Sequence, residues 1–145
     1  MNEQPAERLV LGSGPLGRLA HPRRNPEVAA WFERTVAAGA QVLIPEIADY
    51  EVRRSLLLDN LERSIERLDL FKVTLTYLPL TTEIMLRAAA LWAEARWRGL
   101  PTADPKELDG DVILAAQAQA AGATIITENV GHLSRFVPAR SWREE

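Results

Sequence analysis

The sequence predicts an α/β domain with a small, mainly parallel central sheet. Short apolar runs bounded by Gly or Pro recur at residues 9–11 (LVL), 41–44 (QVLI) and 123–127 (ATIIT). Runs of that length and composition mark strands buried on both faces. Longer stretches of helical periodicity separate them, which is the alternation of a parallel sheet. No repeat, low-complexity tract or linker interrupts the 145 residues, a length suited to one domain spanning 1–145, with residues 1–7 as a flexible N-terminus.

Each element has a local reason. The first strand, residues 9–11, is stopped by Gly12. Asn25, Pro26 and Glu27 read as N-cap, N1 proline and first-turn acid of a helix that Gly39 closes. The second strand stops at Pro45. A single long helix is expected from about residue 46 to 71, and residues 75–80 as a strand or an extended connection. Residues 81–98 read as a helix closed by Gly99. A Pro- and Asp-rich loop, residues 100–111, then leads into an apolar helix over 112–121, capped by Gly122 before the last strand.

Composition narrows the function. Hydrophobic residues make up 47% and charged residues 26%, an ordinary soluble mixture. The absence of cysteine excludes disulfides and thiolate metal sites and fits a reducing compartment. No apolar run approaches the roughly 20 residues that span a bilayer, and MNEQPAER has no signal-peptide core. The expectation is a cytoplasmic protein without membrane contact. A net charge of −3 argues against long-range attraction to nucleic acid. Any such contact needs a local basic patch, and Arg18, His21, Arg23 and Arg24, with Arg53 and Arg54, are the candidates for phosphates or for an acidic protein segment.

The stretch LVLGSGPLG contains G-x-G-x-x-G after a strand. A dinucleotide fold needs a helix of several turns at the third glycine and an acid about 20 residues on. Here Pro22 follows Gly17 by five residues, and the nearest acid after the second strand, Glu46, lies too far along. Dinucleotide binding is not expected. A tight turn with positive-φ glycines at Gly14 and Gly17 is the plainer reading, and it leaves Gly12 unexplained.

Two carboxylates sit in unusual places. Glu51 falls within the apolar stripe of Ile47, Tyr50, Leu57, Leu58, Leu61, Ile65 and Leu68. It is either a buried functional acid or a partly exposed one paired with Arg53 or Arg54. Asp111, with Asp109 two residues before it, opens the apolar helix. One of the two suffices as an N-cap, and both together suit a cation site. Ligands of open parallel sheets bind beyond the carboxyl ends of the strands. Gly12, Glu51, Glu128 and Asn129 all lie at that end, where oxygen ligands suit Mg²⁺ or Mn²⁺.

These residues resemble the PIN domain and, within it, the VapC-like toxins of bacterial type II toxin–antitoxin modules. The resemblance covers nearly the whole chain and is carried by LVLGSGPLGRLAHP, IPEIADYEVRRSLL, LDGDVILAAQAQAAGATIIT and TENVGHL. It implies a three-layer α/β/α fold and a ribonuclease that uses Mg²⁺ or Mn²⁺ held by three or four acids to hydrolyse RNA. The family's second acid falls on Glu51, the third on Asp111, and the fourth, often Asn in toxins, on Asn129. Thr127 falls on a frequent Ser/Thr of the last motif. Asp109 is placed as an outer acid and Ser13 as a supporting residue. The first acid is expected in a pattern like L-D-x-G-P-L, and this chain reads Leu11-Gly12-Ser13-Gly14-Pro15-Leu16. Gly12 therefore stands at the position of the catalytic Asp, which manufactures the glycine motif and implies impaired activity. The resemblance also implies an antitoxin partner and a homodimer. Trp92 and Trp97, with Leu86 and Ala90, are expected in the core or on a dimer face, and His132 as a packing residue.

Overall fold

A computed structural model describes residues 6–99 and 105–143. Five strands form one parallel sheet: β1 (Arg8–Leu11), β2 (Gln41–Pro45), β3 (Thr76–Leu78), β4 (Thr124–Ile126) and β5 (Ala139–Arg140), in the order β3-β2-β1-β4-β5. Around it lie α1 (Ser13–Leu19), α2 (Pro26–Ala37), α3 (Glu46–Leu58), α4 (Glu62–Thr74), α5 (Thr82–Trp97), α6 (Pro105–Ala121) and α7 (Val130–Leu133).

The pleat sends alternate side chains to opposite layers. Val10, Leu43 and Ile125 pack with α5, α6 and α7. Leu9, Leu11, Val42, Ile44 and Ile126 pack with α1 to α4. The expected α/β/α sandwich is therefore present, and the central strands β1, β2 and β4 are apolar where both faces are covered, as at Leu9–Leu11 and Val42–Ile44. β1 is the middle strand. The chain leaves it towards β2 on one side and returns at β4 on the other, so the ends of β1 and β4 frame the crevice where the sheet order reverses.

Several sequence expectations need correction. The stretch from residue 46 to 71 is two helices. Asn60 adopts φ +54° and closes α3 in a Schellman motif, with Leu61 N–H donating to Leu56 O (3.0 Å) and Asn60 N–H to Leu57 O (3.2 Å). The buried face of α3 is Ile47, Ala48, Asp49, Val52 and Leu56. Tyr50, Leu57 and Leu58 are exposed, so the inferred stripe is not the core face.

Gly14 and Gly17 lie in helix α1, and neither has positive φ. Gly39, Gly99 and Gly122 do, at the helix ends where they were expected. Asn25 occupies the N-cap of α2 with Pro26 following, but its side chain makes no cap: its amide donates to His21 O at 3.2 Å.

Helix α6 begins at Pro105, so Asp109 and Asp111 are helical residues and not caps. Residues 100–104 of the expected loop lie outside the described residues. Residues 1–5 of the expected flexible terminus also lie outside them. Glu7 is held: its carbonyl accepts from Gln41 N–H (2.8 Å) and its carboxylate pairs with Arg140. On α5, Trp92 and Leu86 are exposed and Trp97 more so, which removes them from the core. Among the described residues no helix is long and apolar enough to cross a membrane.

Candidate active site

The cleft is built by four chain segments. Gly12 follows β1, and its N–H donates to Ile126 O at 2.8 Å, which carries the β1–β4 ladder one step past the strand. Thr127 follows β4 and is buried. Its Oγ1 accepts from Asn129 N–H at 2.9 Å, which turns the chain and sets Glu128 and Asn129 at the rim. Glu51 comes from α3 and Asp111 from α6. Gln117 joins these two helices. It is fully buried, its Oε1 accepts from Ile47 N–H in the first turn of α3 (3.2 Å), and its Nε2 donates to Leu78 O (2.7 Å). This satisfied amide fixes the start of α3 against α6, and so Glu51 against Asp111.

The result is a cleft of about 380 Å³ that gathers Gly12, Ser13, Glu51, Asp111, Thr127 and Asn129, together with Arg54 and Glu128. Glu51 is half-buried. Burial raises its carboxyl above the ordinary range, nearby Arg54 lowers it, and the charge of Asp111 raises it further. The Arg54 guanidinium stands 4.0 Å from Glu51 Oε2 and lies over the Tyr50 ring. Gly110 permits this approach. A Cβ there would stand 2.9 Å from Glu51 Oε2, so the α6 backbone itself forms a wall of the cleft.

Gly12 has extended geometry (φ −69°, ψ 169°) that any residue adopts, at the N-cap of α1. A Cβ at Gly12 would meet Ile126 O at 3.1 Å, a contact that a shift of a few tenths of an ångström relieves. The backbone angles admit an aspartate, and the Ile126 carbonyl must give way to seat its Cβ. Without one, no three Asp, Glu or His side chains gather closely enough to hold a metal among the described residues. Two carboxylates in one cleft do suit Mg²⁺ or Mn²⁺, ions that are commonly held by one or two carboxylates and otherwise by water.

The other expected residues divide. Asp109 lines a separate groove with Met85, Trp92 and Val112. Arg18 pairs with Glu128 and donates to Asn25 Oδ1 at 3.0 Å. Arg53 does not line the cleft: it bridges Asp49 (2.9 Å) and Asp69 (2.7 Å). Arg23 and Arg24 stand on the exposed loop after α1, and His132 lies in α7. The sequence places Glu128 at this end of the sheet, but its link to Arg18 was not foreseen. The signal for Glu128 was its place between Thr127 and Asn129, directly after β4.

A family model for the PIN domain matches residues 18–136, and the chain belongs to that family, whose members are in general metal-dependent nucleases. The match begins after Gly12. No curated protein sequence matches. Solved structures with the same fold include VapBC2 from Rickettsia felis bound to a fragment of its promoter DNA. There the TM-score is 0.75 and the identity 19%, over 93% of this chain and 98% of that one. VapBC-1 from nontypeable Haemophilus influenzae gives a TM-score of 0.72 at 17% identity, over 94% and 99%. FitAcB from Neisseria gonorrhoeae gives 0.66 at 20%, over 94% and 99%. The similarity spans 98% or 99% of each of those chains.

Proposed function

We propose that this chain is a VapC-like toxin of a toxin–antitoxin pair, an endoribonuclease of RNA phosphodiesters whose activity is impaired by Gly12. The observation that carries the reading is the meeting of Glu51 and Asp111 in one cleft at the ends of β1 and β4, in a PIN-family chain. These two carboxylates would hold Mg²⁺ or Mn²⁺. When bound, such an ion neutralises phosphate charge and activates water for attack. Arg54 presents a cation to the same space, and Ser13, Thr127 and Asn129 add polar groups around it. Gly12 removes the third carboxylate, which weakens metal affinity and leaves the nucleophilic water poorly placed; loss of an equivalent group costs several orders of magnitude in rate.

The partners in this reading are RNA, a cognate antitoxin and a second copy of the chain, in the cytoplasm. The VapBC and FitAcB structures are toxin–antitoxin pairs, which supports the antitoxin. The exposed Leu86, Trp92 and Trp97 on α5 offer an apolar face for pairing. Gly12 itself favours a second reading, a PIN-like module that binds RNA or antitoxin without cleaving. RNA cleavage with Mg²⁺ or Mn²⁺ by this protein and by Gly12→Asp separates the two. Cleavage confined to the Asp form supports the impaired ribonuclease, and cleavage by neither leaves the binding module.

A further inference from the structure

Outside the cleft, a pocket of about 350 Å³ brings together Arg23 and Arg24 from the loop after α1 and Arg63 and Arg67 from α4. His21 and Ser64 join the two elements, with Ser64 Oγ 3.1 Å from His21 Nδ1. No carboxylate lines this pocket, and its only apolar members are Ala20 and Pro22. None of the four guanidinium groups is ion-paired among the described residues. Arg63 and Arg67 are one turn apart, a like-charge spacing that weakens a helix. In a chain with 20 acidic residues and net charge −3, four arginines without an ion pair at one place carry an electrostatic cost.

The pocket is continuous with the cleft. A groove of about 620 Å³ shares His21 and Arg24 with the arginine pocket, and Glu51, Arg54 and Glu128 with the cleft. A ligand that fills both ends is a polyanion with regularly spaced charges. Guanidinium forks match phosphate oxygens two at a time. An acidic protein segment would want apolar anchors beside the arginines, where Ala20 and Pro22 are poor ones; Val52, Leu56 and Leu61 line the groove further on, together with Asp59. We propose that Arg23, Arg24, Arg63 and Arg67 form a phosphate-binding site that holds the RNA backbone at a distance from Glu51 and Asp111, with the groove as its track. This rests on RNA being the substrate.

The test is the salt dependence of binding of a labelled single-stranded RNA, in EDTA so that nothing is cut. It compares the parent with Arg63→Gln/Arg67→Gln and, independently, Arg23→Gln/Arg24→Gln. Gln matches Arg closely in helix propensity, and unchanged thermal unfolding verifies the fold. The expected result is a roughly tenfold loss of affinity for each pair. The slope of log K against log salt becomes shallower by about 0.7 for each phosphate contact removed. Parent binding with unchanged affinity and slope in both variants overturns the site and leaves the RNA reading intact. No RNA binding by the parent overturns both. Loss of polyglutamate binding with RNA binding unchanged assigns the arginines to an acidic protein partner and overturns the proposal.

Discussion

Two acids stand two residues apart on α3 and live in opposite circumstances. Asp49 is buried, its side chain only 8% exposed, yet it is saturated: Arg53 donates to it, Lys72 lies 4.0 Å away, and Arg53 reaches on to Asp69. Hydrogen bonds and charges from both aspartates raise the Arg53 pKa against its burial. Glu51 is less buried and less satisfied. Its only ion pair among the described residues is the long one to Arg54, and its surroundings raise its pKa. The first acid ties α3 to α4; the second has a single long ion pair among the described residues and, in the proposed function, serves a cation. Burial alone does not mark a functional carboxylate, but burial without sufficient partners does.

The sharpest way to break this contrast is to remove Arg53. Arg53→Met leaves Asp49 buried beside Lys72 alone, and stability falls by about 2–3 kcal/mol, below the full cost of breaking a buried pair because Lys72 remains. Urea unfolding measures it. No loss of stability would place Asp49 with Glu51 and erase the distinction.

Gly110→Ala gives effects of opposite sign. Alanine in a helix adds about 0.5–1 kcal/mol of stability over glycine. The new methyl meets the Glu51 carboxylate and pushes it from the cleft. Unfolding temperature should hold or rise while Mn²⁺ affinity falls. A parallel change in both quantities would contradict the geometry.

The smallest effect is the pH dependence of Glu51→Gln in metal-free protein. A carboxyl raised in the folded state binds more protons there than in the unfolded chain, so its contribution to stability falls as pH rises from the ordinary glutamate value through the raised one. The Gln form should therefore unfold at a slightly higher temperature than the parent at neutral pH. The gain should vanish below the ordinary glutamate value. Calorimetric scans across that range read it directly, and a destabilised Gln form at neutral pH would give Glu51 a structural role.

Much of this was legible in the chain. β1, β2 and β4 were, because apolar runs such as LVL and QVLI are punctuated by Gly or Pro; β3 was open between a strand and an extended connection, and the two-residue β5, Ala139–Arg140, carries too short a pattern to read. Gly39, Gly99 and Gly122 announced helix ends through a local rule. The break at Asn60 was not legible, because Leu57, Leu58, Leu61 and Ile65 continue a helical period straight across it. The start of α6 was hidden because Pro105 and Gly110 look like loop residues. Glu51 and Asp111 emerged from position and resemblance. What separates Glu51 from Asp49 lies partly on another element: Lys72 of α4 faces Asp49, and Asp69 of α4 holds the Arg53 that Asp49 shares, and no window on α3 contains them.

In the proposed function Glu51 and Asp111 would supply two of the three carboxylates of a cation site, and the third would stand at position 12. Calorimetric titration of Mn²⁺ into this protein and into Gly12→Asp tests it most directly. The account predicts one site in the Asp form, bound at least about tenfold more tightly than in the parent, a difference of about 1.4 kcal/mol. It also predicts that Asp111→Asn abolishes that gain. Equal affinity in the two proteins, or a gain that survives Asp111→Asn, would contradict it.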